Sequence, residues 1–299
     1  MERLEYVTIS SPSKGGEGLR KRRRSRARAL RAGIPALLLV LATSACDASF
    51  GFPKSITPQG ERMRNMWIGS CIAACVVGGF VALLIAYAVL RYRKRDDELP
   101  AQVRYNLPIE LLYTAIPMVI IGALFFYTAR DEIYVMKTTD QPAKNNVRVI
   151  DVEGFQWGWT FRYLNDSKSV GVPEGQAIYV TGSSNTVKPE LVVPTGTKIQ
   201  FQEHSNDVIH SFWVPALLFK QDVVPGRTNV WEVSRIDREG TFDGHCAELC
   251  GYDHARMDFR LKVVSPDEYR KFLQQSKDAG KVAPIPDWVL SSTPVGSLS

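Results

Sequence analysis

Gly244-His245-Cys246-Ala247-Glu248-Leu249-Cys250-Gly251-Tyr252-Asp253-His254-Ala255-Arg256-Met257 is the stretch from which the rest of the chain can be read. Between Cys246 and Met257 it offers two thiolates, an imidazole and a thioether. That donor set favours a soft, redox-active metal, copper above the others. Asp207-Val208-Ile209-His210 lies upstream and supplies a second imidazole. One copper of the mononuclear type uses one Cys, two His and a weak axial Met. A second sulfur four residues after the first is one ligand too many for that site, and suits two coppers bridged by both sulfurs. Spacing alone leaves three alternatives open, the plainest being two buried thiols. Cys246 and Cys250 could form a disulfide in an exported domain, or join His210 and His254 around tetrahedral zinc. Met257 tilts the balance to copper, because zinc has no use for a thioether.

The charge of the chain is unevenly spread. Its 299 residues carry a formal net charge of +6. Residues 1–45 hold ten Lys/Arg against three Glu, a net of +7, which leaves 27 basic against 28 acidic residues in the remainder. From Asp131 onward there are 18 basic and 22 acidic residues. The basic excess therefore belongs to a targeting segment, and the composition argues against nucleic acid as a partner. The five cysteines fall as Cys46, Cys71 with Cys75, and Cys246 with Cys250, which is no disulfide framework.

The Arg-rich run Arg20–Arg31, the uncharged stretch Ala32–Ala45 and the junction Thr43-Ser44-Ala45-Cys46 predict an export signal over 1–45. The junction resembles a bacterial lipoprotein signal, which makes Cys46 the expected lipidated N-terminus. Thr43 stands where such signals usually have Leu. Residues 46–130 read as a two-helix transmembrane hairpin. Met66–Leu90 is 25 residues without a charge, and Leu111–Ala129 is a second span of 19; both are long enough to cross a bilayer. Arg91, Arg93, Lys94, Arg95 and Arg104 between them predict a cytoplasmic loop. Everything after Arg130 is then expected on the outer face. Glu110 sits at the cytoplasmic start of the second span, where an acid is either functional or snorkels to the headgroups.

Residues 131–265 change to short alternating runs: Val147–Val152, Trp157–Tyr163, Glu190–Val193, Lys198–Gln202, Thr228–Ser234 and Phe259–Val264. These predict an all-β Greek-key sandwich or barrel. The Ser/Gly/Asn-rich stretch 164–189 reads as an inserted surface loop. Ser265-Pro266-Asp267-Glu268 is a helix start, predicting a short helix to about Ser276 and an irregular tail over 278–299.

Taken in order, two spans, Gln156-Trp157-Gly158-Trp159, Asp207-Val208-Ile209-His210-Ser211-Phe212, Pro225-Gly226-Arg227 and Cys246-Ala247-Glu248-Leu249-Cys250-Gly251 with His254 and Met257 resemble subunit II of the haem–copper cytochrome c oxidases. The resemblance covers roughly residues 60–270 and is carried above all by the metal motif. It implies a cupredoxin-like domain with a dinuclear copper centre (CuA). Cys246 and Cys250 would bridge the metals, with His210 and His254 terminal, Met257 axial to one copper and the Glu248 carbonyl to the other. The Glu248 carboxylate would hold magnesium at the boundary with subunit I. Trp157 matches the family's electron-accepting tryptophan, although Gly158 replaces a residue that is usually aromatic there. On strand periodicity Trp157 could equally be a core residue sharing a face with Trp159, Phe161 and Tyr163. Glu110 matches the acid at the mouth of a proton-uptake path. The implied partners are oxidase subunits I and III, a soluble or membrane-bound cytochrome c and the lipid bilayer, in a bacterial plasma membrane. His204 and His245 are left over and read as ordinary polar residues.

Overall fold

The computed structural model describes residues 49–94 and 102–291. The expected signal segment and Cys46 lie outside those residues.

Among the described residues, two long apolar helices precede the β domain. Helix α1, Pro58–Arg91, starts where the Thr57 hydroxyl accepts the Gly60 N–H, with proline at the first helical position. Helix α2, Leu107–Val135, starts at Asn106, whose side chain accepts from the Ile109 N–H. Both are long and apolar enough to cross a membrane. They continue past the uncharged spans on the side of the β domain, α1 by residues 58–65 and α2 by 130–135. There Asp131 accepts from Arg62 at 2.7 Å and pairs with Arg130 at 2.9 Å.

The β domain is a two-sheet sandwich of eleven strands. In chain order these are β1 (Arg148–Phe155), β2 (Gly158–Tyr163), β3 (Gln176–Ser183), β4 (Glu190–Pro194), β5 (Ile199–Ser205), β6 (His210–Val214), β7 (Phe219–Val223), β8 (Asn229–Val233), β9 (Gly240–Cys246), β10 (Asp258–Val264) and β11 (Val282–Pro284). One sheet runs β11-β3-β2-β1-β5-β8 and the other β4-β10-β9-β6-β7. The β1–β5 and β4–β10 pairs are parallel and the remaining pairs antiparallel. This is the mixed Greek-key arrangement of a cupredoxin-like fold. Alternation along each strand puts Ile150, Val152, Trp159, Phe161, Phe201 and Trp231 of the first sheet against Leu191, Phe212, Phe259 and Leu261 of the second. Phe212 stacks on Phe259 at 4.7 Å, and Phe201 on Trp231 at 4.5 Å.

Two expectations are corrected. The stretch 164–189 is not a loop inserted at the surface: it contains a 3-10 turn, Asp166–Val170, and strand β3, which lies between β2 and β11. Its polar composition misled because β3 is only partly buried and uses its hydroxyls structurally, as where Thr181 meets Thr160 at 2.8 Å. The tail is not irregular up to its last described residue either. After helix α3 (Pro266–Asp278), capped by Ser265 as expected, strand β11 pairs with β3 and helix α4 (Asp287–Ser291) follows. A three-residue strand ending in proline carries too little periodicity to be seen beforehand.

The hairpin is fastened to the sandwich twice. Just before α1, Ile56 is buried in the domain core, its N–H bonded to the Ala216 carbonyl and its carbonyl accepting from Asp237 N–H. Gly60 faces the Leu217 carbonyl so closely that a Cβ would overlap it. After α2, Thr139 donates both its N–H and its hydroxyl to the Glu232 carboxylate, at 3.0 and 2.8 Å.

Candidate metal centre

Strand pairing assembles the site. His210 opens β6 and Cys246 closes β9, and the register Phe212↔Cys246 sets them side by side. The segment from Cys246 to Met257 then leaves the sheet and returns at the start of β10. It is closed by Cys246 N–H to the Met257 carbonyl at 3.1 Å and Ala247 N–H to the Ser211 carbonyl at 3.0 Å.

The donors converge. The two thiols are free, with their sulfurs 3.8 Å apart. Cys246 Sγ lies 3.9 Å from His210 Nδ1 and 3.3 Å from the Glu248 carbonyl oxygen. Cys250 Sγ lies 3.6 Å from His254 Nδ1 and 3.7 Å from Met257 Sδ. His210, Cys246 and Cys250 are buried and together can hold a metal ion. Met257 is fully buried and His254 partly so. The Glu248 side chain is exposed.

Burial sets the protonation states. It pushes the Cys250 thiol up to about 12, with the Cys246 sulfur adding to the shift. Metal binding must therefore displace a proton from that sulfur. Burial also lowers His210, outweighing the opposing pull of Asp207, so its imidazole is held in the neutral, ligating form. His210 Nε2 lies 2.8 Å from Asp207 Oδ1, which leaves Nδ1 facing the sulfurs. Burial works to raise Asp207, but the His210 bond and the N–H groups of Gln156 and Val208 overcome it and keep the carboxyl below its usual range. A carboxylate behind a ligating histidine fixes both its tautomer and its orientation.

Several of these supports were not assigned from sequence. Asp207 stood in the quoted motif, and a carboxylate three residues before a candidate ligand was the signal that could have found it. Gln156 donates to Asp207 through its N–H at 2.6 Å and to the Cys250 carbonyl through its side chain at 2.7 Å. Trp159 is fully buried, stands edge-on to His210 and donates its indole N–H to the Met257 carbonyl at 3.3 Å.

Trp157 parts company with its neighbours. Trp159, Phe161 and Tyr163 are sealed in the core, whereas Trp157 precedes β2, is half-buried, and donates its indole N–H to the Cys250 carbonyl at 3.2 Å. Gly251, at φ +124°, leaves room for that ring; a Cβ would sit 3.1 Å from the indole nitrogen. His204 and His245 lie outside the donor cluster, paired with Asp151 and Asp258. Glu110 is in the first turn of α2, where its carboxylate accepts the Asn106 N–H at 2.9 Å.

Comparison with known proteins decides the family. The family description "Cytochrome C oxidase subunit II, periplasmic domain" matches residues 148–264, and the transmembrane domain of the same subunit matches residues 45–129. A probable cytochrome c oxidase subunit 2 of Streptomyces coelicolor is 39% identical, covering 92% of this chain and 94% of its own. The chain belongs to the cytochrome c oxidase subunit II family. The cytochrome c oxidase subunit 2 of Mycobacterium tuberculosis (strain H37Rv) is 35% identical over 92% of this chain and 88% of its own. Among solved structures, the periplasmic domain of subunit II from Bradyrhizobium japonicum shares 31% identity, with a TM-score of 0.39 over 44% of this chain and 94% of that one. The protein is thus a membrane-anchored subunit of an oxidoreductase, a cytochrome c oxidase, and its His/Cys/Cys cluster is consistent with copper.

Proposed function

We propose that this subunit takes single electrons from a cytochrome c at a dinuclear copper centre and relays them to haem in subunit I, where oxygen is reduced to water and protons are translocated. The observation that carries the reading is the meeting of two free thiols, the His254 imidazole and a thioether in one closed loop with the His210 imidazole presented by strand β6. The donors fit the group. Two sulfurs 3.8 Å apart, each with an imidazole at its side, offer two metals matched halves, and the buried Met257 thioether is a soft donor with no role at zinc.

Cys246, Cys250, His210, His254 and Met257, with the Glu248 carbonyl, would hold the metals. When bound, the copper pair would supply a one-electron store between soft donors. The protein does the rest by holding still. Asp207 orients His210, Trp159 pins the Met257 backbone, and the sandwich fixes all of them before the metal arrives. Trp157 is the electron port: its ring reaches the partly exposed surface at one end and bonds to the Cys250 carbonyl at the other.

The remaining assignments follow from the same reading. The exposed Glu248 carboxylate would hold magnesium against subunit I, a hard oxygen donor for a hard ion. Glu110 would open a proton-uptake path from the cytoplasm. Subunits I and III would flank the hairpin in a bacterial plasma membrane, with residues 131–265 as the copper domain on the outer face and Cys46 lipidated.

The test is metal content and electron spin resonance of the copper-loaded chain. One unpaired spin shared equally by two copper nuclei, with a purple absorption, is expected. Zinc in the native protein, or an oxidised Cys246–Cys250 pair, overturns the reading. A spin-silent, colourless copper protein would instead point to a storage or delivery module. A quinol-oxidising relative of this shape has no use for the copper ligands, all of which are in place here.

A further inference from the structure

At the end of the hairpin nearest the β domain, α1 and α2 leave a groove of about 570 Å³ between them, within the roughly 300–1,000 Å³ range of small-molecule sites. Away from its charged end the lining is mostly apolar and includes small residues that leave room for a chain, Gly69 and Ala73 on α1 and Ala123 on α2. Its mouth is charged. Arg62 and Arg130 both bind the same oxygen of Asp131, at 2.7 and 2.9 Å, and the Asp131 side chain is almost wholly buried while both guanidiniums reach solvent. Two guanidiniums around one carboxylate leave a net charge of +1, and each guanidinium carries five N–H donors, more than one carboxylate can accept.

The depth of this mouth identifies the occupant. Arg62 lies four residues before the uncharged stretch 66–90 begins, and Arg130 directly follows the uncharged stretch 111–129. Both therefore stand at the headgroup level of one leaflet, with the apolar channel running from them into the hydrocarbon. We propose that this groove is a binding site for an anionic phospholipid, its phosphate held by Arg62 and Arg130 and one acyl chain laid along the small-residue channel. Arginine suits the phosphate because its planar fork binds oxyanions in pairs. An apolar helix from another subunit would fill the channel but leave the positive mouth without a counter-charge. The proposal rests on the hairpin crossing a bilayer, and on nothing about the copper.

The experiment is native mass spectrometry of the full chain in detergent, delipidated and resupplied with phosphatidylglycerol or phosphatidylcholine. The chain should retain one phosphatidylglycerol with a preference of roughly fivefold over phosphatidylcholine, the order expected for one unbalanced guanidinium near the headgroups. Arg130→Gln, which keeps the Arg62–Asp131 pair, should abolish the preference. Ala123→Phe, which blocks the channel and leaves the charges alone, should lose the lipid, with circular dichroism unchanged in both variants. Equal retention of the two lipids, retention by Ala123→Phe, or displacement by millimolar inorganic phosphate overturns the proposal. So does an assembled oxidase whose bound anionic lipid is the same with and without Arg130→Gln, because a neighbouring helix then fills the groove.

Discussion

The indole N–H of Trp157 and the carbonyl oxygen of Cys250 are 3.2 Å apart, which joins a half-exposed ring to the backbone of a candidate metal ligand. Trp157→Phe keeps an aromatic ring and deletes that bond. Electron transfer from the donor should slow by roughly tenfold, equivalent to about 1.4 kcal/mol on the barrier, while the copper spectrum is unchanged. Stopped-flow reduction by cytochrome c measures the first and absorbance the second. Parallel loss of both would make Trp157 a packing residue.

Asp207→Asn weakens the bond that fixes His210. The amide oxygen can still accept from Nε2, so the fold survives, but the charge that makes the imidazole a better donor is gone. Copper affinity should fall by roughly tenfold, read by competition with a chelator of known strength. Unchanged affinity would confine Asp207 to docking or solubility.

Cys250→Ser replaces a soft sulfur with a hard hydroxyl at the centre of the cluster. The equal sharing of one spin between two nuclei should disappear from the resonance spectrum. Oxidase turnover should drop by roughly a hundredfold, at or beyond the cost of disturbing a ligand's surroundings. A variant with wild-type turnover would contradict the assignment of the site.

Glu203 gives a pH dependence that owes nothing to the metal. It is a fully buried carboxyl in β5 that accepts from the Trp231 indole at 2.5 Å. Burial raises its pKa well above the ordinary value of 4.5; the Trp231 bond opposes the shift, and the nearby Asp222 adds to it. The folded state therefore keeps a proton that the unfolded chain gives up once the pH passes 4.5. Stability is full below that pH and declines above it, by about 1.4 kcal/mol per pH unit until the folded group itself ionises. Glu203→Gln should abolish that decline and be more stable than wild type at pH 8. Thermal midpoints of the metal-free chain at pH 5 and pH 8 check the sign.

Glu110→Gln separates charge from capping. The glutamine side-chain oxygen can take over the Asn106 N–H that Glu110 now accepts, so helix α2 should start as before. If Glu110 opens a proton path, turnover falls while copper reduction stays fast, and Glu110→Ala adds loss of the cap. Wild-type turnover in the glutamine variant would leave the carboxylate a helix cap alone.

The convergent donor side chains and the hairpin were legible because each depends largely on residue type at short range: sulfur and imidazole within one loop, or an unbroken apolar run. What escaped was set by long-range pairing. Strands β6, β7 and β9 were not anticipated, although β6 and β9 present His210 and Cys246, because their polar residues face ligands, loops or solvent and blur the alternation. Gln156 was in view but without a role, since the bonds that give it one span 51 and 94 residues; Asp207 bonds a neighbour only three residues on, and was missed because the spacing alone does not show that its carboxylate turns back onto the His210 ring. Trp157 shows the limit of periodicity most clearly: by parity it belongs with Trp159, yet it lies before the strand begins and answers to the metal loop.

The two fastenings of the hairpin, Ile56 ahead of α1 and Thr139 behind α2, turn what could have been a swivel into a bracket. A head tied at both feet has no hinge about which to nod. On the reading proposed above, a donor arriving from solution would have to adjust its own pose to the waiting ring, while the downstream gap would keep one length from turnover to turnover. Natural variation could then remodel the docking face to suit a new courier without retuning the hop that follows.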